Sequence, residues 1–283
     1  MMKEQSNNST APPSVGSRRY GRRAILAGLG TGLLTAATGA GQAYAAPGGV
    51  GRTGRTAAAR FLDRARWGAD ESLRFDPAGV EIWPAEFFDV QTVTVHHTAT
   101  GNDDPDPAAR VRAIYHNQAV VQGFGDIGYH FLIDERGRVY EGRRSGTGIP
   151  GFDRAGQMVN AAHVLGFNAG NVGIALLGTL TDRTATRAAR VSLTVLLAAV
   201  VRWHRLDPLG TVDYVNPISG ATATVATIPG HRDWAPTECP GGPMYADLPA
   251  LRRDVARLAG QIRHPPAESS WPATALDDLT AAL

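Results

Sequence analysis

The stretch VQTVTVHHT, Val90 to Thr98, decides the fold. Polar and apolar side chains alternate along it with the two-residue period of a strand, and a pair of histidines closes it. Beyond it, Asp106-Pro107 supplies an N-cap and a first-turn proline for a helix carrying Val111, Ile114 and Tyr115 at helical spacing. GYHFLID (Gly128 to Asp134) and RVYE (Arg138 to Glu141), joined by ERG, read as a hairpin. NVGIALLGT (Asn171 to Thr179) reads as an apolar strand, and Ala188 to Arg205 as an apolar-rich helix with basic residues at its C-terminal end, where the helix dipole favours them. A last helix is expected to begin near Asp247, with Leu248, Leu251, Val255 and Leu258 on one face. Strands interleaved with helices, two of them in a hairpin, predict an α/β fold: a central mixed β-sheet flanked by helices.

The chain has 283 residues, 43% hydrophobic, enough for one core of about 200 residues. Its net charge of +2 leaves no electrostatic footprint for nucleic acid, and one cysteine excludes an internal disulfide framework. The basic residues are unevenly placed. Arg18, Arg19, Arg22 and Arg23 precede an uncharged run, Ala24 to Ala40, and then the small-residue site Ala43-Tyr44-Ala45. These are the three parts of a cleavable export signal, and the paired arginines favour the twin-arginine type. A membrane span needs about 20 predominantly apolar residues, and this run is shorter and rich in Gly and Ala. Cleavage after Ala45 would leave 23 basic against 25 acidic side chains, so affinity for an anionic partner does not follow from the basic pI. The expected organisation is a signal peptide over 1–45, a flexible lead over 46–60, one domain over 61–262, and a Pro-rich linker with a short tail over 263–283. Between Arg143 and Asn171 lies a long Gly-rich segment of the kind that carries function or moves.

A single cysteine in an exported chain is an inert buried thiol, an intermolecular bridge, a nucleophile or a metal ligand. Cys239 follows His231 by eight residues in IPGHRDWAPTECPGG, a loop stiffened by Pro229, Pro236 and Pro240. A thiolate and an imidazole on one braced loop make two thirds of a catalytic zinc site, which takes three protein ligands and keeps one position open. His96 and His97 are the candidates for the third. Strand alternation puts Val93, Val95 and His97 on one face and Thr94, His96 and Thr98 on the other, so the polar face favours His96. His97 is then a packed histidine that hydrogen-bonds a neighbour.

Six ordered blocks extend this reading: RARWGAD (Arg64 to Asp70), VHHTAT (Val95 to Thr100), DIGYHFLID (Asp126 to Asp134), VYEGR (Val139 to Arg143), AAHVLGFNAGNVGIALLGT (Ala161 to Thr179) and GHRDWAPTECPG (Gly230 to Gly241). Together they resemble the peptidoglycan recognition protein and type 2 N-acetylmuramoyl-L-alanine amidase family, which includes phage-lysozyme amidases. The resemblance spans about Arg64 to Ile262. It implies Zn2+ held by His96, His231 and Cys239, and a catalytic tyrosine at Tyr129. The implied reaction is hydrolysis of the amide between N-acetylmuramic acid and L-alanine. Substrate contacts are expected from His163, with Asn171, Arg143, Thr237 and His97 as further candidates. Two positions depart from parts of the family. Thr237 stands where phage-type enzymes carry a catalytic lysine, and Ala175 where another branch has a glutamate base. Proton transfer is then expected from Tyr129 with His97 or His163. The implied partner is peptidoglycan, met as muramyl peptides by a secreted or wall-associated monomer with no stable membrane insertion. Two rival readings are a non-catalytic peptidoglycan-binding module, and a Cys239 nucleophile with His231 as its base.

Overall fold

The computed structural model describes residues 61–261; the expected signal, lead and tail lie outside them. In chain order the elements are β1 (Phe61–Leu62), α1 (Arg64–Trp67), β2 (Phe87–Phe88), β3 (Thr92–His97), α2 (Pro107–His116), β4 (Phe131–Ile133), β5 (Val139–Glu141), β6 (Met158–Val159), β7 (Asn171–Leu176), α3 (Arg187–Trp203), β8 (Thr211–Val215), β9 (Thr222–Ala226) and α4 (Gly242–Gln261). Five strands form one sheet in the order β1-β5-β4-β7-β3. The β4/β5 hairpin is antiparallel, while β1/β5, β4/β7 and β3/β7 are parallel, so the sheet is mixed as expected.

The two faces of the sheet bury different things. Val93, Val95, Phe131, Ile133, Val139, Val172, Ile174 and Leu176 pack with α3 and α4 in one apolar cluster. Leu132, Tyr140 and Ala175 point the other way, where Trp67 and α2's Val111 and Tyr115 cover them. The period-two alternation of the strands produces this division, and each large apolar side chain buried contributes roughly 1.5–3 kcal/mol. α2 starts as its sequence dictates, with the Asp106 carboxylate accepting the Ala109 N–H (3.0 Å) and Pro107 in the first turn. α3 is buried almost all round, which is why its sequence is apolar beyond one stripe.

Three features differ from the sequence expectations. α4 begins at Gly242, five residues ahead of Asp247, because Pro243 fits a first helical turn although GGP reads as a turn. The segment 143–171 contains β6, paired antiparallel with β2. β8 and β9 form a separate hairpin, whose Tyr214 is buried beside Phe167 and Trp234.

Candidate metal centre and its cleft

His96 lies near the C-terminal end of β3, on the face shared with its register partner Ala175. The chain at 227–230 runs along the outer edge of β3: Val93 N–H donates to Thr227 O (3.0 Å) and Val95 N–H to Pro229 O (2.9 Å). This edge pairing delivers His231 beside His96, with ring centroids 4.7 Å apart. Gly230 is needed at the turn, since a Cβ there would stand 2.8 Å from Pro240 Cδ. The Gly230 N–H donates to Asp233 Oδ2, and the loop then returns so that Arg232 N–H donates to Cys239 O (3.0 Å). The His97 N–H donates to Cys239 Sγ (3.3 Å), which fixes the sulfur over the end of the strand.

The ligand atoms of His96, His231 and Cys239 all lie within 4.8 Å of one another. Zn–N and Zn–S bonds in a tetrahedron demand an N···S edge of about 3.6 Å. His96 Nδ1 is 3.6 Å from Cys239 Sγ. The donor set and its spacing therefore fit zinc.

Hydrogen bonds behind His96 select the nitrogen that faces this centre. His163 Nε2 lies 2.8 Å from Asn171 O, and a carbonyl only accepts, so Nε2 carries the proton. His163 Nδ1 is then a lone pair, and His96 Nε2, 3.0 Å away, must donate to it. The nitrogen left on His96 is an unprotonated Nδ1 directed at Cys239. Gly173 makes room for the relay, because a Cβ there would meet His163 Cγ at 2.5 Å.

The electrostatics agree with neutral ligands. Burial first, and neighbouring His163 and His231 next, hold His96 well below the usual imidazole range. Burial likewise lowers His163, reinforced by His130, and lowers His231, reinforced by His97. Burial pushes the Cys239 thiol up to about 12, so the bare thiol stays protonated at neutral pH and is a poor nucleophile. A dication deprotonates a coordinating thiol outright.

Tyr129 stands across from His96, ring centroids 5.3 Å apart. Burial, and Cys239 after it, raise its phenol above the usual value, so it is an O–H donor at neutral pH. It opens into a cleft of about 310 Å³ that Thr98, Thr100, Arg110, Asn117, Gln118 and Gln122 also line. The sequence reading did not find Arg110 of α2 or Asn117, Gln118 and Gln122 just after it in this cleft; their spacing alone carries no sign of a ligand.

Four residues expected to contact substrate are buried and hydrogen-bonded within the domain. The Arg143 side chain is 1% exposed: its guanidinium pairs with Asp126 (2.9 Å), donates to Asn160 O and Trp83 O, and lies 4.1 Å over the Trp83 ring. Asn171 is buried, accepting from Thr94 Oγ1 (2.8 Å) and donating to Phe167 O (3.0 Å). His163 is 8% exposed with both ring nitrogens engaged. His97 is 7% exposed and its Nδ1 accepts the Leu180 N–H (3.0 Å). Neither His97 nor His163 retains a free lone pair for base work. Ala175 is buried in the apolar cluster under α2 and supplies no base either. Thr237 is half-buried, and its Oγ1 accepts the Cys239 N–H (3.3 Å) within the ligand loop.

Arg143 has a different task. Its N–H donates to Tyr129 O (2.7 Å), and Asp126, held between Arg64 (3.0 Å) and Arg143, also accepts the Ile127 N–H. This buried ion cluster braces the turn that presents Tyr129.

A mixed sheet that carries a His/His/Cys tripod at its edge, with a tyrosine ring across from the first histidine, defines a class of α/β domain. The chain belongs to the N-acetylmuramoyl-L-alanine amidase family, whose profile matches residues 86–242. Among curated relatives, the human N-acetylmuramoyl-L-alanine amidase is 32% identical over 211 residues, covering 73% of this chain and 30% of that protein. Peptidoglycan-recognition protein LB of Drosophila melanogaster is 29% identical over 197 residues, 68% of each chain. The chain thus spans less than a third of the human relative's length. A solved structure of peptidoglycan recognition protein-LE in complex with tracheal cytotoxin superposes with a TM-score of 0.50 at 23% identity, covering 67% of this chain and 92% of that one, a likeness of fold.

Proposed function

We propose that this chain is an exported, zinc-dependent N-acetylmuramoyl-L-alanine amidase of peptidoglycan, carried out of the cell by the twin-arginine-type signal over 1–45. The observation that carries the reading is the His96/His231/Cys239 tripod at zinc spacing, with the Tyr129 ring 5.3 Å from that of His96. Relatives named as amidases and as peptidoglycan-recognition proteins support the substrate class. Among the described residues no helix is long and apolar enough to cross a membrane.

The reaction breaks the C–N bond between the lactyl carbonyl and the L-alanine nitrogen: the carbonyl carbon gains a water oxygen, and the nitrogen leaves as an amine with a proton. Bound zinc supplies the Lewis acid that lowers the pKa of water from 15.7 to about 7 and polarises the carbonyl. The neutral Nδ1 of His96, His231 and the Cys239 sulfur would hold it. Tyr129 donates its O–H to the carbonyl oxygen as charge develops there, where one preorganised donor matters most. The engagement of His97 and His163 in other hydrogen bonds supports giving Tyr129 the transfer of a proton between oxygen and leaving nitrogen. Thr237, beside the sulfur, is proposed to hydrogen-bond the substrate.

The test uses residues 46–283, bound zinc and release of stem peptides from purified walls. The expected result is one zinc per chain with peptide release, both lost in Cys239→Ala. Full release by Cys239→Ala removes the metal from the reaction. Wall binding without release by the zinc-loaded protein identifies a recognition module instead.

A further inference from the structure

Trp234 lies between His231 and Cys239 on the ligand loop. A single 3-10 turn, His231–Asp233, ends on it, with the Trp234 N–H donating to His231 O (3.0 Å). Whatever holds the indole therefore holds His231. The indole stacks on Phe167 (centroids 5.2 Å apart, planes at 33°) and meets Tyr214 edge-on at 5.2 Å, so the 161–168 loop and the β8/β9 hairpin both pack against it.

The indole nitrogen reaches into the sheet. An indole N–H only donates, and here it donates to Thr94 Oγ1 (2.9 Å), two residues before His96 on the same face of β3. The Thr94 hydroxyl then donates to Asn171 Oδ1 (2.8 Å), and Asn171 Nδ2 donates to Phe167 O (3.0 Å). The chain of donors thus runs in one sense, from the ligand loop through β3 to β7. Asn171 is also where the imidazole relay ends, because its carbonyl accepts the proton on His163 Nε2. Thr94 and Asn171 are both fully buried, so neither exchanges these partners for water.

We propose that Trp234 is a positioning residue of the metal centre, and that its indole N–H, through Thr94 and Asn171, sets the angle at which His231 meets His96. The inference rests on the reading of His96, His231 and Cys239 as zinc ligands. The Asn171 carbonyl orients His96 through His163, and the Asn171 side chain orients His231 through Thr94 and Trp234. Both imidazoles are thereby registered on one buried residue, a support behind the ligands that fixes their orientation. The β8/β9 hairpin gains a task from this: Tyr214, anchored by its hydroxyl to Ala169 O (2.6 Å), backs the indole.

Two readouts on the full chain test this: zinc affinity by chelator competition, and the visible d–d bands of the Co2+-loaded protein, which report ligand geometry. Trp234→Phe keeps an aromatic ring and removes the donor; it weakens zinc about tenfold and shifts the cobalt bands. Thr94→Val, without the hydroxyl, does the same, whereas Thr94→Ser, which keeps it, retains native affinity and bands. Combining Trp234→Phe with Thr94→Val costs no more than the larger single loss, because both break one hydrogen bond. Native affinity and bands in Trp234→Phe overturn the proposal, and this variant decides alone if Thr94→Val does not fold. A Thr94→Ser chain that loses as much as Thr94→Val, or losses that multiply in the double variant, overturn it too. A native chain that takes up no zinc overturns the metal reading itself, a different result from a zinc-loaded native chain whose variants are unmoved.

Discussion

Two buried polar clusters share the α2 side of the sheet, and they are built on opposite principles. The first, Arg64, Asp126 and Arg143 closed by Glu71 on Arg64, consists of charges, each facing an opposite charge within 3.0 Å. The second, His96, His163 and His231, consists of imidazoles that burial keeps neutral. Closed charge pairing leaves nothing over for a ligand and fixes geometry; here it fixes the turn bearing Tyr129. The histidine chain satisfies every nitrogen behind the centre and leaves one lone pair in front, beside a thiol. A buried polar group is functional where its hydrogen-bonding capacity is left open.

The largest effect should come from breaking the charged cluster. Asp126→Ala removes the carboxylate of the buried Arg143 and leaves Arg64 to Glu71 alone, and loss of one partner of a buried pair costs about 3–5 kcal/mol. Denaturant unfolding checks it, and a loss under about 1 kcal/mol would mean the cluster is not closed.

Tyr129 joins the two clusters, and Tyr129→Phe should keep zinc while slowing hydrolysis about 10²–10³-fold, the cost of one oxyanion donor. Single-turnover rates at saturating zinc read this, and an unchanged rate removes the phenol from the reaction.

Acid should separate the clusters in the metal-free protein. Burial lowers His130, next to the relay, to about 4, against an unfolded value near 6.5. The unfolded chain takes up a proton that the folded one refuses, so the stability is whole above pH 6.5 and is lost as pH falls toward 4. The loss is on the order of 3 kcal/mol for this one group. Unfolding free energies at pH 7 and 4.5 measure the slope, and a flat profile contradicts the neutral-imidazole account. The smallest effect is expected from His163→Phe, which keeps an aromatic ring and removes the relay. Zinc affinity, read by competition with a chromophoric chelator, should fall about 10–100-fold with the fold intact.

The contrast also explains which residues were legible in the sequence. His96 could be chosen over His97 because a strand's faces alternate, and His231 and Cys239 because one braced loop carries both. The relay was not legible: it needs the 161–168 loop to lie against β7 at Gly173, a contact that no local period encodes. Arg143 read as a substrate-contact candidate because its partner, Asp126, is 17 residues away on the far side of the β4/β5 hairpin. The β8/β9 ribbon escaped because only Tyr214 and Val225 of its residues are well buried, leaving a faint apolar pattern.

The central claim is that the open lone pair and thiol hold zinc for cutting one particular amide. Mass analysis of the products that the zinc-loaded protein releases from purified peptidoglycan tests it most directly. The account predicts stem peptides beginning at a free L-alanine amine, with glycan chains that keep their lactyl carboxylates. Walls recovered with that amide intact, from protein shown to carry zinc, would contradict it.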